Sequence, residues 1–319
     1  MPAISLVVCV YKERDFLERL LREAKGSFDD LVVVHDGPEG SEGAQNAAKP
    51  AAIDYATHPS GGPLPGGYTL PAFPPKPGSM HALVVEHGGR FFEGGRSFQQ
   101  EPHWPFAWSE AREDWILRFD ADEFPSADLC AWLRNFRAQP ESPAVAGYTC
   151  VWPLWNGRRA VTHHWPVGRN FLFHRQRVRF FGMVEQVPIA DTSFEDLDLV
   201  LHHEPTRKSY GVGNLLLRRQ AYHWRRVIAL SLLSLPADLP NWRWGKQGWP
   251  ANWQQVREKP LTIGLRRLLI SPLRQAREMW KQEGTISFSA IAGTGLHHFM
   301  MSLTFFVCKL RHPSHPDRS

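Results

Sequence analysis

Residues 3–37 read AISLVVCVYKERDFLERLLREAKGSFDDLVVVHDG, and their pattern decides the fold class. Residues 3–10 are an unbroken apolar run rich in β-branched side chains, as expected of a strand covered on both faces. Between Glu13 and Ala24, the residues Phe16, Leu17, Leu20, Leu21 and Ala24 recur at helical spacing, and Lys25-Gly26-Ser27 stops the helix. A second apolar run, Leu31 to His35, closes at Asp36-Gly37-Pro38. Strand, helix and strand in so short a span form a βαβ unit, so the chain is expected to be α/β with a parallel sheet.

Outward from this unit the pattern breaks. Residues 38–89 hold eight prolines between Pro50 and Pro77, and the pairs Gly61-Gly62 and Gly66-Gly67. This is an insertion, either a surface excursion or a lid. Regularity returns with a short strand at 90–92, a helix over 104–113, a strand at 115–119 and a helix over 127–138. Residues 145–205 read as β-rich, with turns at Asn156-Gly157 and Gly168, and the chain beyond Tyr210 reads as helical and basic.

Composition narrows the function classes. Of 319 residues, 43% are hydrophobic and 22% charged, which is globular rather than disordered. Cys9, Cys130, Cys150 and Cys308 form no CxxC pair, which excludes a zinc finger or a disulfide scaffold and fits a reducing, cytoplasmic setting. The N-terminus lacks a secretory signal pattern. The net charge of +5 is uneven: residues 207–319 carry 18 Lys and Arg against 5 Asp and Glu, leaving 19 basic and 27 acidic residues in the first 206. The C-terminal part is therefore expected to meet something anionic. No nucleic-acid motif accompanies that charge, so no nucleic-acid partner is expected.

The strand at 115–119 runs into Asp120-Ala121-Asp122-Glu123. Ligands of open α/β sheets bind at this carboxyl edge. Two carboxylates around a small residue can hold a hard divalent cation, whose remaining positions go to phosphates and water. The first strand delivers Val10-Tyr11-Lys12-Glu13 to the same edge and opens a helix, whose N-terminus offers amides to an anion. Asp36, at the end of the second strand, is a hydrogen-bond acceptor suited to a base or ribose.

In that order, SLVVCVYKERDFLERLL, LVVVHDG, DWILRFDADEFPS, GYTCVWPLWNG, FGMVEQVP and LVLHHEP resemble the family 2, GT-A type glycosyltransferases, nearest the bacterial lipopolysaccharide-core and lipid-linked glycan branch. The resemblance implies a Rossmann-like GT-A domain over 1–206, with a mixed sheet flanked by helices, and a helical basic region over 207–319. It implies a nucleotide-diphospho-sugar donor, a UDP-sugar by default, and a glycan or lipid-linked acceptor, with inversion at the anomeric carbon. Val10, Tyr11, Glu13 and Asp36 would line the nucleotide pocket with Asp120 and Ala121. Asp120, Asp122 and His203 would hold Mg²⁺ or Mn²⁺. An inverting transfer needs a base for the acceptor hydroxyl. Glu185 matches the Glu of a His-Glu pair common in relatives, although Val184 replaces the His, and Glu123 is the competing base. A catalytically inactive nucleotide-sugar-binding protein of the same fold is the alternative.

Other candidates carry less. His103-Trp104 and His163-His164-Trp165 suit either sugar stacking or a core. Arg169 and Arg175 could reach phosphate but are expected on exposed strand faces, and Cys9 and Cys150 as inert buried thiols. Residues 286–308 are apolar and about long enough to span a bilayer. They are expected to lie against the inner face of the cytoplasmic membrane, with an ordinary buried helix pair as the competing reading.

Overall fold

The structure is a computed structural model, which describes residues 1–40, 67–97, 100–180, 188–190, 192–205, 225–226, 228–230, 233, 256 and 258–311. Residues 41–66, half of the 38–89 insertion, lie outside the described residues, as does Glu185. The chain forms two compact units, Met1–Trp152 with Val167–His203, and Pro153–Pro166 with Glu204–Ser319. Residues 153–166 thus belong with the second unit although the sequence suggested a continuous first domain over 1–206.

The first unit is α/β. Its strands are β1 (Ile4–Val10), β2 (Asp30–His35), β3 (Arg90–Glu93), β4 (Trp115–Asp120), β5 (Glu123–Pro125), β6 (Gly147–Val151), β7 (Val167–His174), β8 (Val178–Arg179), β9 (Ile189–Ala190) and β10 (Phe194–His203). Its helices are α1 (Arg14–Glu23), α2 (Met80–Glu86), α3 (Trp104–Glu110) and α4 (Ala127–Arg137). Eight strands form one mixed sheet in the order β3-β2-β1-β4-β7-β6-β10-β5. Strands β3, β2, β1 and β4 are parallel. The chain winds from β1 outward to β3 and then crosses back to β4, so the order reverses between β1 and β4. A crevice opens at such a switch point, at the carboxyl ends of the strands.

The unbroken apolar run of β1 has the expected cause. Ile4, Leu6, Val8 and Val10 pack on one face with Leu17, Leu20 and Leu21 of α1. Val7 and Cys9 pack on the other with Trp104, Ala107 and Trp108 of α3. The helix at 104–113 ends early, at Glu110. The Arg112 amide donates to Asp30 Oδ2 (3.0 Å) and the Glu113 amide to Ser5 Oγ (3.0 Å), which draws the chain out of the helix towards β4. The Asn156-Gly157 turn forms, with Asn156 Oδ1 accepting from the amides of Arg158 and Arg159.

Gly168 does not make a turn. It lies inside β7 at φ +129°. Cys150 pairs with Arg169 and Val151 with Val167, so Gly168 is the extra residue of a β-bulge. Gly168→Ala meets open space but an unfavourable backbone, and it is expected to cost about 1–3 kcal/mol of stability in a denaturant titration. An unchanged unfolding midpoint would show that the bulge is not needed.

In the second unit, α5 (Pro260–Glu283) and α6 (Phe288–Arg311) pack side by side. A Cβ on Gly264 would lie 2.7 Å from Ser302 Cβ, and one on Gly295 would lie 2.5 Å from Pro272 Cγ. Helix α6 is long and apolar enough to cross a membrane by length and composition. It also carries buried Ala290, Ile291, Phe305 and Cys308. Burial pushes the imidazoles of His297 and His298 down to about 4. Trp165 packs on Met279 and Ile291, which is the core role. His163 and His164 are exposed, and their backbone amides donate to Glu283.

Candidate active site

The carboxyl edge of β1, β2 and β4 gathers Tyr11, Asp36, Asp120 and Asp122. Around them the side chains form two polar groups.

The first group surrounds Asp36. Its Oδ1 accepts from the Ser97 amide (2.6 Å), from Ser97 Oγ (3.0 Å) and from His103 Nε2 (3.0 Å). The other ring nitrogen of His103 lies 2.9 Å from the Tyr68 hydroxyl. Burial holds the Tyr68 phenol well above its ordinary range, so its hydroxyl keeps its proton beside Nδ1. Asp36, His103 and Tyr68 are therefore one chain of hydrogen bonds. Tyr68 is fixed in turn by stacking on Phe106, with ring centroids 3.6 Å apart. A Cβ at position 94 would lie 2.8 Å from both the His103 and Tyr68 rings, so a glycine is needed there. The guanidinium of Arg96 donates to the Asp36 carbonyl (2.9 Å) and lies 3.2 Å from the centroid of the Tyr11 ring. His35 ties the loops together, its two ring nitrogens 2.6 Å from the carbonyl oxygens of Gly37 and Tyr11.

Burial alone would raise the Asp36 carboxyl. Hydrogen bonds from His103 and Ser97 and the Arg96 charge outweigh it and hold the group below its ordinary 3.8. A depressed carboxylate contributes stability that is fully present above the unfolded value and lost as pH falls through the folded one. Asp36→Asn is therefore expected to flatten the acid limb of the stability–pH curve below about pH 4. An acid limb identical to wild type would contradict the assignment.

The second group surrounds Arg169. Strand β7 runs antiparallel to β4 with Leu172 opposite Leu117 and Phe173 opposite Ile116. Continuing that register sets Arg169 against Asp120. Its guanidinium meets Asp120 Oδ2 (2.8 Å) and Glu123 Oε1 (2.8 Å), and donates to Glu123 Oε2 (3.0 Å). The expectation that Arg169 lies on an exposed face is thus corrected: its side chain is 15% exposed and sits between the two acids. The Gly168 bulge lies immediately before it. Arg175 is half-buried and pairs with Asp114 (3.1 Å).

Glu123 is completely buried, and it also accepts from the Asp120 amide at 2.8 Å. Burial and the Asp120 charge push its carboxyl up, to about 6, against the pull of Arg169. Asp120 goes the other way: Arg169 and Arg118 hold it below its ordinary value despite burial. Arg118, buried in β4, is itself pushed down to about 10 by burial and by Arg169. One oxygen of Asp120, Oδ1, is buried and has no hydrogen-bond partner among the described residues. Asp122 Oδ2 lies 3.4 Å from His203 Nε2. The His203 ring stacks on Trp152, centroids 4.2 Å apart.

The expected residues therefore separate by what they touch. Val10 and Ala121 are packed in the core, and Val10 meets the loop through its carbonyl, which accepts from the Asp36 amide at 2.9 Å. Glu13 turns back on its own loop, where Oε2 accepts from the amides of Tyr11 and Lys12 at 2.9 Å each. Tyr11, Asp36, Asp120, Asp122 and His203 stand at the edge. Glu123 is turned to Arg169 and the Asp120 amide, which is a bracing position. Arg96, Tyr68 and Trp152 were not read as site residues from the sequence, and Arg169 and His103 only as lesser candidates. The register of β7 on β4 is the signal that finds Arg169, and it exists only once the strands are paired.

Among the described residues no group of three or more His, Cys, Asp and Glu side chains gathers closely enough to cage a metal ion. Asp120, expected as a third ligand with Asp122 and His203, gives Oδ2 to Arg169. A cation that also binds a diphosphate needs only one or two protein carboxylates. The Asp122–His203 pair, with the unpartnered oxygen of Asp120 nearby in sequence, fits that smaller demand.

No protein-family model matches the chain, and no curated protein matches its sequence. Among solved structures the chain is similar to residues 1–349 of S. aureus TarS, at 8% identity over 98% of this chain and 92% of that one, with a TM-score of 0.34. It is also similar to the mannosyltransferase PcManGT from Pyrobaculum calidifontis, in complex with GDP-Man and Mn²⁺, at 13% identity over 98% of this chain and 87% of that one, with a TM-score of 0.43.

Proposed function

We propose that the chain transfers a sugar from a nucleotide-diphospho-sugar to a glycan or lipid-linked acceptor, with inversion and with the help of Mg²⁺ or Mn²⁺. The observation that carries this reading is the edge of the parallel sheet, where Asp122 faces His203 and partly exposed Asp120 keeps one buried oxygen unpartnered at the switch point between β1 and β4. The motif order in the sequence supports it.

In this reading Tyr11 and Asp36 receive the nucleoside, and the Asp36–His103–Tyr68 chain fixes the Asp36 carboxylate so that its second oxygen stays oriented. Asp122 and His203 hold the cation, with Trp152 fixing the His203 ring. The cation supplies Lewis-acid stabilisation of the charge that develops on the leaving nucleoside diphosphate. Glu123 braces Arg169 and the Asp120 loop, and the Arg169 charge favours the ionised form of both carboxylates. The base for the acceptor hydroxyl is then assigned to Glu185 rather than Glu123.

A second reading is donor binding without turnover, which the burial of Glu123 favours only if Glu185 does not serve as the base. A panel of UDP- and GDP-sugars, with and without Mn²⁺, separates the two. Metal-dependent release of nucleoside diphosphate supports transfer. A metal-dependent thermal shift with no release supports the binder. Neither effect with any donor would contradict both.

A further inference from the structure

We propose that α5 is a membrane-surface helix that docks the chain onto an anionic bilayer. The inference stands apart from the sugar-transfer reading and rests on one face of the helix. Leu261, Leu265, Leu269, Leu273 and Trp280 follow one another at intervals of four and seven residues. At 100° per residue they fall within about 120° of the helix circumference. All five are exposed, Leu269 at 68%, Leu273 at 73% and Trp280 at 60%. Gly284 closes α5 at φ +66°, and Phe288 beyond it is 82% exposed. Elsewhere on α5, Gly264 and Pro272 meet α6 and hold the helix in its unit. Scattered exposed leucines are ordinary, but an aligned row of this length on one helix marks an interaction surface.

The charges beside the row select the partner. Arg266, Arg274, Arg277 and Lys281 are exposed and project next to the apolar stripe on the same turns. Over residues 260–283 there are five Lys and Arg and two Glu. One of the acids, Glu283, is turned to the backbone amides of His163 and His164. An apolar stripe with Leu and Trp, bordered along one side by cations, has the pattern of a helix lying in the headgroup plane, where the leucines enter the acyl boundary and the cations meet lipid phosphates. A second copy of the chain would bring these cations against each other. The surface role thus falls on α5, not on the more apolar α6, whose inner side is committed to the packing of its own unit.

Flotation of the full chain with vesicles tests this. Binding is expected to vesicles of phosphatidylcholine mixed with phosphatidylglycerol, with weaker binding to phosphatidylcholine alone and a loss as salt rises. Leu269→Glu with Leu273→Glu is expected to lower vesicle binding by roughly tenfold or more, with an unchanged circular dichroism spectrum. Arg274→Glu with Arg277→Glu is expected to remove the preference for the anionic lipid. As a check that needs no loss of function, Leu273→Cys carrying an environment-sensitive dye should shift to the blue on anionic vesicles. Absence of wild-type binding, equal binding by the Leu269/Leu273 variant, or no dye shift would overturn the proposal. So would self-association that the same leucine substitutions dissolve, without vesicle binding, because the occupant would then be a second copy.

Discussion

Asp122→Ala is expected to abolish sugar transfer while leaving the fold intact. Asp122 is partly exposed and faces His203 at 3.4 Å, so its removal opens no cavity and orphans no buried charge. A surface change of this kind usually alters stability by no more than about 0.5 kcal/mol. Its effect on the reaction is large for a separate reason. Charge stabilisation of the leaving diphosphate by a bound cation contributes several kcal/mol, and each ~1.4 kcal/mol is a factor of ten in rate. A loss of roughly a hundredfold or more is the expected result, along with loss of any Mn²⁺-induced thermal shift. Full turnover by a well-folded Asp122→Ala would remove Asp122 from the site.

Arg169→Met is expected to have the largest effect on stability. It leaves Asp120 and Glu123 facing each other in a buried place with no guanidinium between them. Removing one partner from a buried ion cluster typically costs about 3–5 kcal/mol, because the remaining charges stay desolvated and unpaired. For a unit of this size that corresponds to a fall in Tm of roughly 10 °C. Adding Glu123→Gln should recover part of the loss, since one of the two stranded charges is then gone. Wild-type stability in the single variant, or no recovery in the double variant, would show that Arg169 is not the hub of the cluster.

The contrast between these residues explains how much of the molecule was legible in its sequence. β1, α1, β2, β4 and α4 could be read because local periodicity and burial agree: the apolar run of residues 3–10 is covered on both faces, and Phe16, Leu17, Leu20 and Leu21 share one side of a helix. The DxD edge could be read for the same reason, since a strand that ends in acids delivers them to a sheet edge whatever lies beside it. Arg169 could not. Its role depends on an antiparallel register between strands about 50 residues apart in sequence and on a bulge at Gly168, which as a sequence signal looks like a turn. His103 and Tyr68 were hidden in another way. They reach Asp36 only because α3 and the segment before β3 fold back over β2, and a lone His before a Trp has no local feature that separates a relay from a core residue. For α5, the stripe could be read in the sequence but not its exposure. Leucines at helical spacing indicate a buried face until the structure shows what covers them.

The central claim is that the β1–β4 edge binds a nucleoside diphosphate through a cation held at Asp122. Calorimetric titration of UDP and GDP into the full chain and into Asp122→Asn, with and without Mn²⁺, tests it most directly. The account predicts binding of one nucleotide to the wild-type chain that depends on Mn²⁺ and is lost in Asp122→Asn. Equal binding by both chains, binding indifferent to Mn²⁺, or no binding of either nucleotide would contradict it.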